Sequence, residues 1–322
     1  MRVRILIVFI MIALTSVFTY GQQKPIFSQY MFNGLAINPA YAGNQKMLSA
    51  SSLYRKQWFN VPGSPNTQTF AFHSQLKRRA ANMGLGLLLS RDEIGAHRQY
   101  DAFGVYAYRV PLSRKAVLAM GLQAGLSNLN SDYSQVVLKQ PGDPLFIAAS
   151  EQRYLPNFGA GLYYYRSDLT YIGFSIPYMM RNRLVFIPDE IGSDSSTIAR
   201  EARSYFLTGG IMIPLSAVLK LKPSILFKMQ EGDVVNGSRS FSPIGIDLNG
   251  VLIIKDMIAA GLSYRKGDGM NLVGQMQLNK NFQVGVSYDL TLSTLIIKSR
   301  GSFEFMVQYR FNLSPDLCPV FH

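Results

Sequence analysis

Cysteine is nearly absent from this 322-residue chain: the only one is Cys318, in the proline-flanked tail "SPDLCPVFH". That excludes an intramolecular disulfide and a cysteine-based metal site. Histidine is scarce too, limited to His73, His97 and His322. Charged residues are 16% of the chain, below the ~25% of ordinary soluble domains, so much of the surface tolerates little charge. Beyond the first residues no stretch offers ~18 consecutive apolar positions, which excludes helical membrane spans. No segment shows a helical apolar period.

What charge there is leans basic, at +13, or +11 once Arg2 and Arg4 leave with a leader. A basic balance often marks nucleic-acid binding. Here the basic residues are scattered, and the longest run, Lys77-Arg78-Arg79, is followed by no recognition helix. Nucleic acid is therefore rejected as a partner. An acidic headgroup layer, outer-membrane lipid and lipopolysaccharide, fits better.

The chain opens "MRVRILIVFIMIALTSVFTYG". Arg2 and Arg4 supply a positive start, and Ile5 to Leu14 an apolar core of signal-peptide length. Thr19-Tyr20-Gly21 suits cleavage after Gly21, leaving Gln22 as the first mature residue. The domain reading is a signal peptide over 1–21, a periplasmic or plug-like lead-in over 22–46, a barrel over 47–311 and a tail over 312–322.

The dominant signal in the mature chain is alternation with period two. In "SFEFMVQYRF", Phe303, Phe305, Val307, Tyr309 and Phe311 oppose Ser302, Glu304, Met306, Gln308 and Arg310. In "FQVGVSYDLT", Phe282, Val284, Val286, Tyr288 and Leu290 oppose Gln283, Gly285, Ser287, Asp289 and Thr291. Such half-apolar strands of ~9–11 residues cross a bilayer when tilted. About 14 are expected. They fall near 47–58, 66–76, 83–91, 97–110, 116–128, 153–165, 169–179, 203–214, 219–230, 241–253, 257–266, 270–279, 282–291 and 301–311.

The connections carry a second pattern. After even-numbered strands they are mostly short: "RSD", "LSAV", "IKD", "NKN". After odd-numbered strands they tend to be long: 129–152, 180–202, 231–240 and 292–300. Short turns at one end and long loops at the other mark an outer-membrane barrel, with both termini in the periplasm. A soluble sandwich also alternates. The low charge, the loop asymmetry and tyrosines near strand ends (Tyr54, Tyr100, Tyr108, Tyr165, Tyr264, Tyr309) argue against it. The fold class is thus all-β, a transmembrane antiparallel β-barrel of about 14 strands with an N-terminal non-barrel lead-in. The location is the outer membrane of a Gram-negative cell.

Chemistry-bearing residues do not assemble into a catalytic pattern. Ser74 or Ser90 with His73 or His97 gives no acid and base at a recognisable spacing. Asp92-Glu93 and Asp189-Glu190 read as solvated loop charge, even with Asp143 or Asp194 nearby, and not as a calcium loop. No enzyme, cofactor or metal is expected. Glycines inside strands, as in "GLGLLLS" and "FGAGLYYY", relieve curvature or admit another backbone. Lys220, Lys222, Lys228, Arg265 and Arg310 face the lumen and would favour anions if it were open.

The block 25–76 is the most specific part of the sequence. It holds Ser28-Gln29-Tyr30, Asn33, then Asn38-Pro39-Ala40-Tyr41-Ala42-Gly43, then Arg55-Lys56-Gln57-Trp58 and Pro62-Gly63-Ser64-Pro65. These elements, in this order, resemble the N-terminal part of the PorP/SprF family of Bacteroidota. The resemblance implies an outer-membrane protein of type IX secretion and gliding motility. It implies partners of two kinds: secreted cargo with a C-terminal sorting domain, such as an adhesin, and type IX secretion or motor components. The motif residues Asn33, Asn38, Pro39, Ala40, Tyr41, Gly43 and Trp58 would then be structural or partner-docking. Asn38-Pro39 would turn the chain, with Tyr30, Phe32 and Tyr41 packed against lumen or rim. The competing function is a porin-like or hydrophobic-solute channel.

Overall fold

The computed structural model describes residues 27–45, 47–76, 82–132, 151–167, 169–182, 200–235, 238–292 and 297–311. The leader, Asp189-Glu190, Asp143, Asp194, Cys318 and His322 lie outside them. Two short 3₁₀ helices, Gly34–Ala36 and Pro39–Tyr41, precede the strands. The strands are β1 (Leu48–Lys56), β2 (Asn66–Gln75), β3 (Met83–Ile94), β4 (His97–Pro111), β5 (Ala116–Ser131), β6 (Glu151–Arg166), β7 (Thr170–Ile176) and β8 (Arg203–Ile211). There follow β9 (Ile213–Pro214), β10 (Leu219–Val235), β11 (Ser238–Phe241), β12 (Gly245–Ile254), β13 (Ile258–Arg265), β14 (Gly269–Gln277), β15 (Phe282–Thr291) and β16 (Ser302–Phe311).

All pairings are antiparallel between neighbours in sequence, apart from the closures. β1 pairs β16, with Leu48 opposite Phe311 and Lys56 opposite Phe303. β9 continues β8 past Met212, both against β10, and β11 precedes β12 on the other edge of β10. The result is a closed, up-and-down barrel of 14 strands. Closure satisfies every strand edge inside the bilayer, which an open sheet cannot do.

The alternation sets the two faces. On β16, Ser302, Glu304, Met306, Gln308 and Arg310 are buried while Phe303, Phe305, Tyr309 and Phe311 are exposed. Leu122, Leu126, Leu262 and Val286 are over half exposed on other strands, the lipid-facing band. Aromatic clusters bracket that band on β16: Phe303 with Tyr54 and Phe59 at one end, Tyr309 with Phe282 and Phe311 at the other. Six residues separate Phe303 from Tyr309, about 20 Å along the tilted strand.

Three expectations are corrected. Asp92 and Glu93 lie on β3, not in a loop, because the β3–β4 connection is only Gly95–Ala96, with Gly95 at φ +57°. The expected long loop at 231–240 is largely strand, since β10 runs to Val235 and β11 starts at Ser238. Tyr165 does not join the lipid-facing tyrosines: it packs beside Tyr163, against a buried cluster inside the barrel.

Candidate functional site: the lumenal segment and its cradle

The lead-in does not lie outside the barrel. Between Phe27 and Gln45 every residue is buried except Gly34, Ala36 and Asn44, which are half-buried. The segment runs down the lumen from the long-loop half to the short-turn end.

Its upper part is held by charge. Arg55 on β1, Asp289 on β15 and Glu304 on β16 converge near the long-loop ends of three neighbouring strands. Arg55 bridges both carboxylates, at 2.7 Å to Asp289 and 2.5 Å to Glu304, and is only 2% exposed. Glu304 accepts the backbone N–H groups of Ser28 (2.5 Å) and Gln29 (3.0 Å). The Ser28 hydroxyl donates to Asp289 at 2.7 Å and accepts from Arg55 at 2.9 Å. Register makes this possible: Arg55 stands opposite Glu304 across the closing seam. The Glu304 carboxylate thereby occupies backbone donors that a buried irregular segment would otherwise leave unpaired, and Asp289 takes the Ser28 hydroxyl. Below them, Asn249 donates to the Tyr30 hydroxyl at 2.5 Å. Phe27, Tyr30, Met31 and Phe32 pack with wall residues such as Leu53, Leu226, Val251 and Met306.

The lower part carries the Asn38–Gly43 motif. Asn38 is extended, and its side-chain oxygen accepts from Ala40 N–H at 2.9 Å, capping the 3₁₀ turn that Pro39 begins. Proline suits that first position because its missing donor has no partner to lose there. The Asn38 amide donates to the carbonyl of Leu162 at 2.9 Å, and Ser175 donates to Ile37 O at 2.6 Å, fixing the turn to β6 and β7. Tyr41 meets His73 and Tyr163 edge-on, at 5.7 and 5.6 Å between centroids. Gly43 has φ +69°, and its N–H donates to His73 Nδ1 at 3.1 Å. Arg109 donates to Ala42 O.

The wall is carved to fit this turn. A β-carbon on Gly121 would stand 2.1 Å from Ala40 N, one on Gly161 2.1 Å from Asn38 Oδ1, and one on Gly84 2.2 Å from Ala42 O. On the upper half, one on Gly285 would stand 2.4 Å from the Gln29 side chain. The four glycines lie on β5, β6, β3 and β15 and are all buried. Gly121 and Gly84 are in-strand glycines that admit another backbone, and Gly161 and Gly285 admit the Asn38 and Gln29 side chains.

The motif residues thus divide. Asn38, Pro39, Ala40, Tyr41 and Gly43 come together in one turn. Asn33 lies above them, accepting the Ala36 N–H at its carbonyl. Trp58 stands apart, in the β1–β2 loop at φ +49°, its N–H donating to Ser302 Oγ at 3.0 Å. The serines and histidines weighed as catalytic are elsewhere engaged: Ser90 donates to Asp101 and His97 bonds Ser131. Sequence reasoning missed the Arg55–Asp289–Glu304 cluster. Its only trace is two acidic residues on the inward face near the same end of adjacent strands.

The family model described as "Type IX secretion system membrane protein PorP/SprF" matches residues 19–309. The chain belongs to the PorP/SprF family. It is accordingly an outer-membrane β-barrel associated with type IX secretion. No curated protein matches the chain in sequence. Among solved structures, the PorP/SprF chain is similar to the CymD monoaromatic hydrocarbon channel at 11% identity and TM-score 0.50, over 91% of this chain and 95% of that one. That likeness shows the fold. A Pseudomonas aeruginosa FadL homologue is similar at 12% identity and TM-score 0.47, over 91% and 96% of the two chains.

Proposed function

We propose that this PorP/SprF barrel is a plugged holder. Residues 27–45 close the lumen, and the long-loop end receives a secreted cargo with a C-terminal sorting domain, while the short-turn end faces secretion or motor components. The carrying observation is the glycine cradle. A segment that merely set the register of β1 would not need four wall glycines shaped to its own atoms. In this reading Asn38, Pro39, Ala40, Tyr41 and Gly43 are plug residues, and Asn33 leads into the first 3₁₀ turn. Trp58 belongs to the outer rim, where β4, β5, β6 and β10 run 15 to 17 residues and stand above the bilayer. The basic balance suits contact with lipopolysaccharide at that rim.

The test is affinity capture of the tagged protein from detergent-solubilised outer membranes, with mass spectrometry of what accompanies it. A large sorting-domain protein or motor components support the holder. A barrel recovered without companions contradicts it.

One observation favours the channel reading instead. A cavity of about 50 Å³ lies in the outer half of the lumen, lined by Phe27, Leu88, Pro177 and Phe206 with Asp92 and Asp101 at one side. A small hydrophobic solute would suit it. Single-channel recording and solute-swelling assays separate the two readings.

A further inference from the structure

We infer that the cavity between the plug and strands β7, β8 and β10 binds one small monovalent anion of halide size, held by Lys222. The cavity is about 30 Å³ and is lined by Lys222, Thr208, Tyr171, Tyr30, Asn38 and Tyr41, among others. Lys222 on β10 is 4% exposed. Among the described residues it makes no ion pair and no hydrogen bond; its ammonium instead sits 5.8 Å from the Phe32 ring centre and 5.7 Å from that of Tyr171.

A buried ammonium needs an opposite charge or must lose its proton, because an isolated charge away from water is very costly. Two aromatic faces favour the charged form but do not neutralise it. Other cations of the wall have partners that Lys222 lacks: Arg55 and the half-buried Arg265 meet carboxylates at 3.0 Å or less, and the buried Arg109 and Arg310 donate to carbonyl and amide oxygens. At Lys222 the polar neighbours are hydroxyls, among them those of Tyr30, Tyr171 and Thr208, while the Asn38 amide is already spent on the Leu162 and Phe174 carbonyls. The Tyr30 oxygen accepts from Asn249, which leaves its own O–H to donate. Donors around an unneutralised ammonium make an anion site. The volume limits its size. One water needs about 10–15 Å³ on the same measure, so the cavity takes a halide and is too small for a phosphate or a carboxylate ligand.

The site joins both partners, since Tyr30, Asn38 and Tyr41 belong to the plug and Lys222, Tyr171 and Thr208 to the wall. A bound halide therefore stabilises the seated plug. The inference rests on that seating, and the test keeps the two apart.

Crystals of the wild-type protein grown in bromide are to be measured at the bromine absorption edge. One anomalous peak within hydrogen-bonding distance of Lys222 Nζ is expected. Density for 38–43 in the lumen with no such peak overturns the anion site and leaves the plug standing. Absence of 38–43 from the lumen overturns both. Thermal unfolding in detergent supplies the solution readout. At several-fold excess of chloride over its dissociation constant, wild type unfolds about 2–4 °C higher than in gluconate of equal ionic strength. Lys222→Met shows no difference between the two salts. Equal shifts in both proteins, or an anomalous peak without any shift, mean binding at crystal concentration only and contradict the inference.

Discussion

At the scale of single residues, two kinds of contact hold the plug, and they respond differently to substitution. The Arg55 guanidinium and its two carboxylates are desolvated together. Removing one member of such a buried set leaves uncompensated charge, at a cost of about 3–5 kcal/mol. Arg55→Ala is therefore expected to lower the urea midpoint of unfolding strongly. The partly exposed pair Arg91–Glu93, with side chains 40% and 27% exposed and the carboxylate shared with Arg98, is the internal control: Glu93→Gln should move the midpoint by less than about 1 kcal/mol. Equal effects would contradict the assignment of Arg55, Asp289 and Glu304 as a buried clamp. The glycine contacts act through shape. Gly121→Val or Gly161→Val places atoms where Ala40 and Asn38 now sit. Wall strands are fixed by ladders on both edges, so the plug and not the wall yields. Each variant should keep the heat-modifiable electrophoretic shift of a folded barrel while residues 38–43 become open to protease. A protected plug in both variants would contradict the cradle.

At the scale of elements, strand placement follows from a two-residue period between lipid and lumen. An Arg at the lipid-facing position of Leu262, 54% exposed on β13, should cost about 2–4 kcal/mol near the bilayer midplane. The same change at lumen-facing Ser263 should cost less, because polar partners are at hand; refolding into lipid vesicles under a urea series reads both. This period is also why the strands were legible in the sequence. Phe282–Thr291 and Ser302–Phe311 stand where alternation places them, each with one apolar and one polar face. The ends were less legible. β10 continues through Val235 because a hairpin partner, Ser238–Phe241, exists beyond the apolar pattern, and alternation alone cannot announce that pairing. Tyr165 misled because tyrosine suits both an interfacial girdle and a buried lumen contact. The lead-in was legible as turns, from Asn38-Pro39 and Gly43, but its destination stayed open between the periplasm and the lumen. Its burial depends on Gly84, Gly121, Gly161 and Gly285, which lie far away in sequence and resemble ordinary curvature glycines until the barrel is closed.

At the scale of the whole molecule, the interior divides into two apolar clusters joined by the plug. Phe27 to Phe32 and Ile37 complete one with β1 and the β8–β16 side of the wall, and Leu35, Ala40, Tyr41 and Ala42 complete the other with β2–β6. A barrel of this strand number otherwise encloses a lumen that must be filled or left as a channel. The plug thus decides between a holder and a pore. Deleting 25–43 should leave a barrel that inserts into the outer membrane but admits ions. Failure of that deletion to assemble would instead make the segment a folding element. In cells, loss of cargo display with normal barrel levels would identify the segment as part of the holder.

The most direct measurement is single-channel recording of purified wild-type protein in planar bilayers, side by side with Gly121→Val. A seated plug predicts no steady conductance from wild type and stable ion-conducting steps from the variant. Steady open channels from the wild-type protein would contradict the closed lumen on which the account depends.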